Sequence, residues 1–224
     1  MKKSLLSLSA TLMVIALPLA ALAQSPKAAT YITDEQVKAV NSTPGVDRQI
    51  VSVDIGKLNE AVGIIHRGPT GAAAAAGRGA AGAGAAGGGA GGRGAAPPAE
   101  PCGETASTPP PAGSASGISH DHQTETYIIV SGGGTLVTGG HIVNGRKSAP
   151  DSEVTKVLNG PSCSGVIAGA DVVKKVVKTG DIVIIPAGVP HGWTDITDHV
   201  DYLSVRPDPD RVLAAGYVHP AIKK

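Results

Sequence analysis

The sequence predicts an all-β fold, a single small barrel or sandwich preceded by a short helix. Short runs rich in Val, Ile, Thr and Tyr recur from Arg48 onward, with Gly, Asn and Pro between them. No helix-length periodic segments alternate with these runs, which disfavours a parallel sheet built from βαβ units. Setting aside an apolar leader and a low-complexity stretch leaves about 150 residues, enough for one domain with one core.

The leader comes first. Lys2 and Lys3 give a positive start, Leu5 to Leu22 an apolar run, and Ala21-Leu22-Ala23 a small-residue cleavage pattern, so residues 1–23 read as a signal peptide. A membrane anchor is the alternative, but Pro18 and the Ala-x-Ala end favour cleavage after Ala23. No later segment is apolar for long enough to span a bilayer. The expected product is soluble and exported, periplasmic or secreted.

Without Lys2 and Lys3 the chain keeps 17 basic residues against 18 acidic ones, a net charge of −1 with histidines neutral. That balance gives no pull toward nucleic acid or anionic lipid. Small molecules are the expected partners, with a homodimer admitted as an assembly. Only two cysteines occur, Cys102 and Cys163, too widely spaced for a two-cysteine metal knuckle. In an oxidising compartment a disulfide is the natural reading, and two free thiols the alternative.

Residues 24–67 read as a helix and the first barrel strands. Thr33-Asp-Glu-Gln36 has capping-box spacing ahead of Val37 and Val40, and Pro44-Gly45 ends the helix. Arg48 to Ile55 and Ala61 to His66 then predict two antiparallel strands. From Gly68 to Ser116 the composition shifts: Gly71 to Ala96 is Gly and Ala with two arginines, followed by a proline-rich run. With almost no side-chain surface to bury, residues 68–116 are expected to be a disordered insertion. A barrel tolerates it, because each doubling of loop length costs only about 0.6 kcal/mol.

Residues 117–224 read as the barrel core and a C-terminal tail. Thr126 to Val130 and Gly134 to Val137 are expected as strands, with Ser131-Gly-Gly-Gly134 as a tight turn between them. His141 to Val143 leads to Asn144-Gly145, a hairpin dipeptide. Val154 to Leu158, Gly165 to Ala168, Val172 to Val177, Asp181 to Ile185 and Tyr202 to Val205 complete the expected strands.

Chemistry concentrates at His120, His122 and His191. Residues two apart on a strand project to one side, so His120 and His122 can aim both imidazoles at one point. His191, behind a Pro-x-Gly-x-x turn, can enter from a neighbouring strand, and Glu125 can close a mixed N/O ligand set. The plainer reading of Glu125 is a solvated residue at the start of a strand. His66, His141, His199 and His219 read first as surface or hydrogen-bonded core residues.

The two segments together resemble the cupin superfamily. His120, His122, Glu125 and Gly132 fall on its first motif, with the gap between His122 and Glu125 one residue short. Gly180, Pro186, Gly188 and His191 match every spacing of the second, and Asp195 stands where that motif has Asn. The resemblance implies a jelly-roll barrel carrying one metal in its mouth, held by His120, His122, Glu125 and His191. A barrel of this kind that has lost its metal is the alternative.

Three imidazoles and one carboxylate suit Mn(II), Fe(II), Ni(II) or Zn(II), and leave an octahedral ion two positions for water or substrate. Isomerase, lyase, decarboxylase and oxygenase chemistry on a small polar metabolite all remain open, beside a non-catalytic ligand- or metal-binding role. Tyr127 reads as a proton donor or a hydrogen-bonded core tyrosine, Trp193 as packing ahead of substrate stacking, Asp195 as an orienting acceptor or a solvated residue, and Arg206 as a surface salt-bridge partner ahead of a partner for a substrate carboxylate. The absence of Phe, with one Trp and four Tyr, argues against a pocket for flat aromatic substrates.

Overall fold

A computed structural model describes residues 28–71 and 99–223. The expected signal peptide and the Gly/Ala run 72–98 lie outside the described residues. The order is α1 (Asp34–Asn41), β1 (Asp47–Asp54), β2 (Asn59–Arg67), β3 (Pro101–Cys102), β4 (Ser116–His120), β5 (Glu125–Thr138), β6 (His141–Lys147) and a π-helical turn (Val154–Leu158). After it come β7 (Ser162–Ala168), β8 (Val173–Lys178), β9 (Ile182–Ile185), β10 (His191–Thr194), β11 (Val200–Asp208) and β12 (Tyr217–Val218).

All strand pairings are antiparallel. One sheet runs β12-β1-β2-β11-β5-β9 and the other β8-β5-β10-β4-β7-β6-β3. β5 belongs to both: residues 125–132 pair with β9 and β11, and residues 133–138 pair with β8 and β10. The expected turn at Ser131–Gly134 is therefore a bend within one continuous strand. Gly132 makes it possible, because its φ is +66° and an added Cβ would sit 2.0 Å from the His199 carbonyl oxygen.

The helix follows its sequence signals. Thr33 and Gln36 form the reciprocal capping box, and Val40 packs with Ile50, Val51 and Ile64 on the outer face of β1 and β2. The neighbouring Ile65 faces the other way, into a core of Tyr127, Ile129, Leu136, Trp193, Ile196 and Tyr202. That opposition is the period-2 alternation of a strand buried on both faces.

Three other expectations change. Asn144-Gly145 is no hairpin: β6 runs through it, and its register against β7 shifts between Val143 and Arg146, so the dipeptide forms a bulge. Val154–Leu158 is a π-helical turn, not a strand; its β-branched residues carry strand propensity, but no neighbouring strand pairs with it. Within the expected insertion, residues 99–116 carry structure. Pro101–Cys102 pairs with β6, Glu104 bridges to Val143, and Cys102 is bonded to Cys163 with a Cα–Cα distance of 6.0 Å. A covalent tie to β7 supplies what the proline-rich composition lacks. Among the described residues no helix is long and apolar enough to cross a membrane.

Candidate metal centre

Three strand ends meet at the site. His120 is the last residue of β4, Glu125 the first of β5 and His191 the first of β10. β4 and β10 are adjacent, with His191 opposite Ile118, which puts the two imidazoles diagonally across one strand pair. The turn between β9 and β10 is pinned beside them: Val189 N–H donates to the Pro186 carbonyl, and Gly188 N–H donates to the His120 carbonyl at 2.7 Å. All three side chains are buried, each at most 3% exposed.

Glu125 Oε2 is the focus. It lies 3.0 Å from His120 Nε2 and 3.0 Å from His191 Nε2, and it accepts the Tyr127 hydroxyl at 2.8 Å. Oε1 is occupied elsewhere, accepting from Ser204 Oγ and Arg206 Nε at 2.8 Å each.

The other ring nitrogens fix the tautomers. His191 Nδ1 sits 3.0 Å from the Val189 carbonyl, which can only accept, so Nδ1 carries the proton. His120 Nδ1 sits 3.1 Å from Ser162 Oγ, and the Ser162 hydroxyl donates to the Gly160 carbonyl at 2.8 Å, so Oγ accepts and Nδ1 again carries the proton. In the neutral rings both Nε2 lone pairs then face one carboxylate oxygen. Such a contact is repulsive without a proton or a cation between the atoms. His191 Nε2 is buried with no aligned hydrogen-bond partner, although Oε2 is only 3.0 Å away.

The donor set fits a transition-metal ion. Two donors about 2.1 Å from one ion, at right angles, stand about 3.0 Å apart, the separation found on both edges here. Imidazoles held through Nδ1–H to a carbonyl or hydroxyl are the usual ligand arrangement.

The sequence-predicted set is brought together in part. His120, Glu125 and His191 converge, whereas His122 lies outside the group and pairs with Asp210 at 2.7 Å, its side chain 48% exposed. The parity argument needed a strand through His122, but β4 stops at His120. Asp195 is exposed and bonded to Thr194, with φ of +54°, and orients no histidine. Tyr127 and Trp193 are core residues, as read from the sequence.

Arg206, expected as a surface salt-bridge partner, is instead 1% exposed. Its Nε binds Glu125, its Nη2 binds Asp47 at 2.6 Å, and its Nη1 reaches Gln49 Oε1 and the Leu158 carbonyl. The signal was present in β11, where Val200, Tyr202, Ser204, Arg206 and Asp208 occupy alternate, buried positions. Composition missed a second feature. Tyr127 and Tyr202 have ring centroids 4.3 Å apart and planes tilted by 44°, Trp193 lies 5.4 Å from Tyr202, and Tyr127 meets His191 edge-on at 5.9 Å, so three of the few aromatic rings form one wall beside the site.

Electrostatics follow the contacts. Burial alone would push the Glu125 carboxyl up, but the charges of His120, when protonated, and of Arg206 outweigh it and hold the group well below the usual carboxylate range. Burial and then the Glu125 charge push Tyr127 well above an ordinary phenol, so its hydroxyl stays a donor. A cleft of about 450 Å³ lined by Cys102, Glu104, His141, Lys147, Gly188 and Pro190 opens nearby without including any of the three converging residues.

No protein-family model and no curated protein matches the chain. Similar solved structures include an uncharacterized protein with a double-stranded β-helix domain from Klebsiella pneumoniae subsp. pneumoniae MGH 78578. It is 14% identical, with 81% of this chain and 93% of that one covered and a TM-score of 0.36. Recombinant oxalate oxidase in complex with glycolate is 14% identical over 75% of this chain and 54% of its own, with a TM-score of 0.32. The capsular polysaccharide assembling protein CapF from Staphylococcus aureus is 11% identical over 73% of this chain and 30% of its own, with a TM-score of 0.29. The chain thus spans about half of the oxalate oxidase chain and under a third of CapF. Among these, the Klebsiella protein is described as having a double-stranded β-helix domain.

Proposed function

We propose that this is an exported β-barrel protein that holds one divalent transition metal on His120, Glu125 and His191 and uses it on a small polar metabolite. One observation carries the metal reading: the Nδ1 hydrogen bonds of both histidines turn their Nε2 lone pairs onto the same Glu125 oxygen. Mn(II), Fe(II), Ni(II) and Zn(II) all accept such a set. Export is supported by the leader-like residues 1–23 and by the Cys102–Cys163 bond.

Three protein donors leave an octahedral ion with open positions, and a bound ion there would polarise an oxygen ligand or lower the pKa of its water. The chain's own residues would do the rest. Arg206 and Ser204 fix Oε1 of Glu125, Tyr127 offers a hydroxyl proton beside Oε2, and the wall of Tyr127, Tyr202 and Trp193 keeps water out. Isomerase, lyase, decarboxylase and oxygenase chemistry remain the candidate reaction types. A specific observation favours a second reading, a non-catalytic metal- or ligand-binding barrel: the converging side chains are nearly sealed, at most 3% exposed.

Elemental analysis of protein from the exported fraction should find about one transition metal per chain. The metal-loaded protein is then screened against sugars, hydroxy acids and enolisable carbonyl compounds, with and without oxygen. Metal-dependent product formation supports the enzyme. Binding without turnover selects the second reading, and protein that takes up no metal ends the enzyme reading and the metal-binding form of the second.

A further inference from the structure

Gln123 lies in the turn between His120 and Glu125, is 1% exposed, and has no hydrogen-bond partner for either Oε1 or Nε2. A buried primary amide left unpaired at both ends has given up its hydrogen bonds to water with nothing in return. Nothing in the sequence marks it, because a glutamine in a polar turn normally faces water.

Its neighbours place it. The segment from Leu158 to Ser162 runs along one side of the site and touches three residues in order. The Leu158 carbonyl accepts from Arg206, a Cβ added at Gly160 would stand 3.0 Å from Gln123 Nε2, and Ser162 Oγ accepts from His120. Arg206 and His120 both contact Glu125, so the segment whose Gly160 faces the unpaired amide also touches, at either end, a residue that contacts that carboxylate. Gly160 adopts φ of +66° and brings no side chain against the amide.

We infer that the Gln123 amide, not the His122 imidazole, completes the protein donor set of the metal centre. The inference rests on the metal reading proposed above. Oε1 supplies a neutral oxygen donor, and the Nε2 hydrogens remain for an oxygen ligand held on the same ion. An amide oxygen needs no deprotonation, unlike a histidine, and moves the site toward ions that accept mixed imidazole and carbonyl donors. His122 is occupied at the surface by Asp210.

The test is Co(II) titration of metal-free full-length wild type and of Gln123→Ala, Gln123→Met and His122→Ala, followed by affinity and by the visible absorption of the bound ion. Gln123→Met keeps the volume and apolar packing, so it guards against a misfolded alanine variant. Gln123→Ala and Gln123→Met should each weaken Co(II) by about tenfold or more and change the spectrum, while His122→Ala matches wild type. Wild-type affinity and spectrum in a folded Gln123→Met protein overturn the inference and leave the metal site standing, as does a His122→Ala protein that loses the ion. A wild type that binds no Co(II) overturns the metal reading and this inference together.

Discussion

Arg206 Nε and Glu125 Oε1 are 2.8 Å apart, joined across two neighbouring strands with both residues 1% exposed. The register of β11 on β5 sets this: Ser204 lies opposite Tyr127 and Val205 opposite Thr126, which brings Arg206 opposite Glu125. The pair commits one carboxylate oxygen to the protein and leaves the other to the histidines.

Removing Arg206 should therefore be costly. Arg206→Met leaves Glu125 and the mostly buried Asp47 without their shared cation, and loss of one partner of a buried pair costs about 3–5 kcal/mol. Urea unfolding should show that loss in metal-free protein. The double variant Arg206→Met, Glu125→Gln should lose less than the sum of the singles; simple additivity would mean that the two charges are not coupled.

Ser162 should matter to the metal through His120. It accepts the Nδ1 proton and fixes the lone pair on Nε2, so Ser162→Ala should lower metal affinity by about 10–100-fold. Ser162→Thr, which keeps the hydroxyl, should restore most of that affinity. Equal affinities across wild type and Ser162→Ala would show that the tautomer is set by something else.

The Cys102–Cys163 bond closes a loop with a sequence separation of 61. By chain entropy it contributes about 4 kcal/mol. Thiol titration under denaturing, non-reducing conditions should find no free thiol. Cys102→Ala, Cys163→Ala should melt lower by several degrees, and an unchanged melting temperature would remove the bond from the sources of stability.

Acid should destabilise the metal-free protein through Glu125. Its folded carboxyl is depressed, so the stability it contributes is present above the unfolded value of about 4.3 and is lost as pH falls through the folded one. Glu125→Gln should flatten that part of the curve of unfolding free energy against pH. A variant as acid-sensitive as wild type would place the effect on other carboxylates.

His122 is an exposed pair partner of Asp210, and such pairs contribute about 0–1 kcal/mol. His122→Ala should leave the urea midpoint nearly unchanged. A loss above that range would assign the side chain a structural part that its surface position does not explain.

Local patterns were legible in the sequence wherever neighbours along the chain decide the outcome. The capping box at Thr33 and Gln36, the strands around Ile50 and Ile64, and the inward parity of Glu125, Tyr127 and Ile129 all depend on residues a few positions apart. The matched spacing from Gly180 to His191 likewise placed one imidazole on a strand end behind a tight turn. What only the tertiary structure decided is what depends on strands meeting. A glycine run is a turn or a bend according to whether other strands pair on both sides of it, as β9, β11, β8 and β10 do along β5. His122 shares a face with His120 only if β4 continues, and that strand ends where its pairing with Ser162 ends. Arg206 is a surface cation in sequence and a buried one in space, because β11 lies between β2 and β5 and every second side chain on it points to the interior. Periodicity is a property of the chain, whereas burial and partnership belong to the surfaces that close around it.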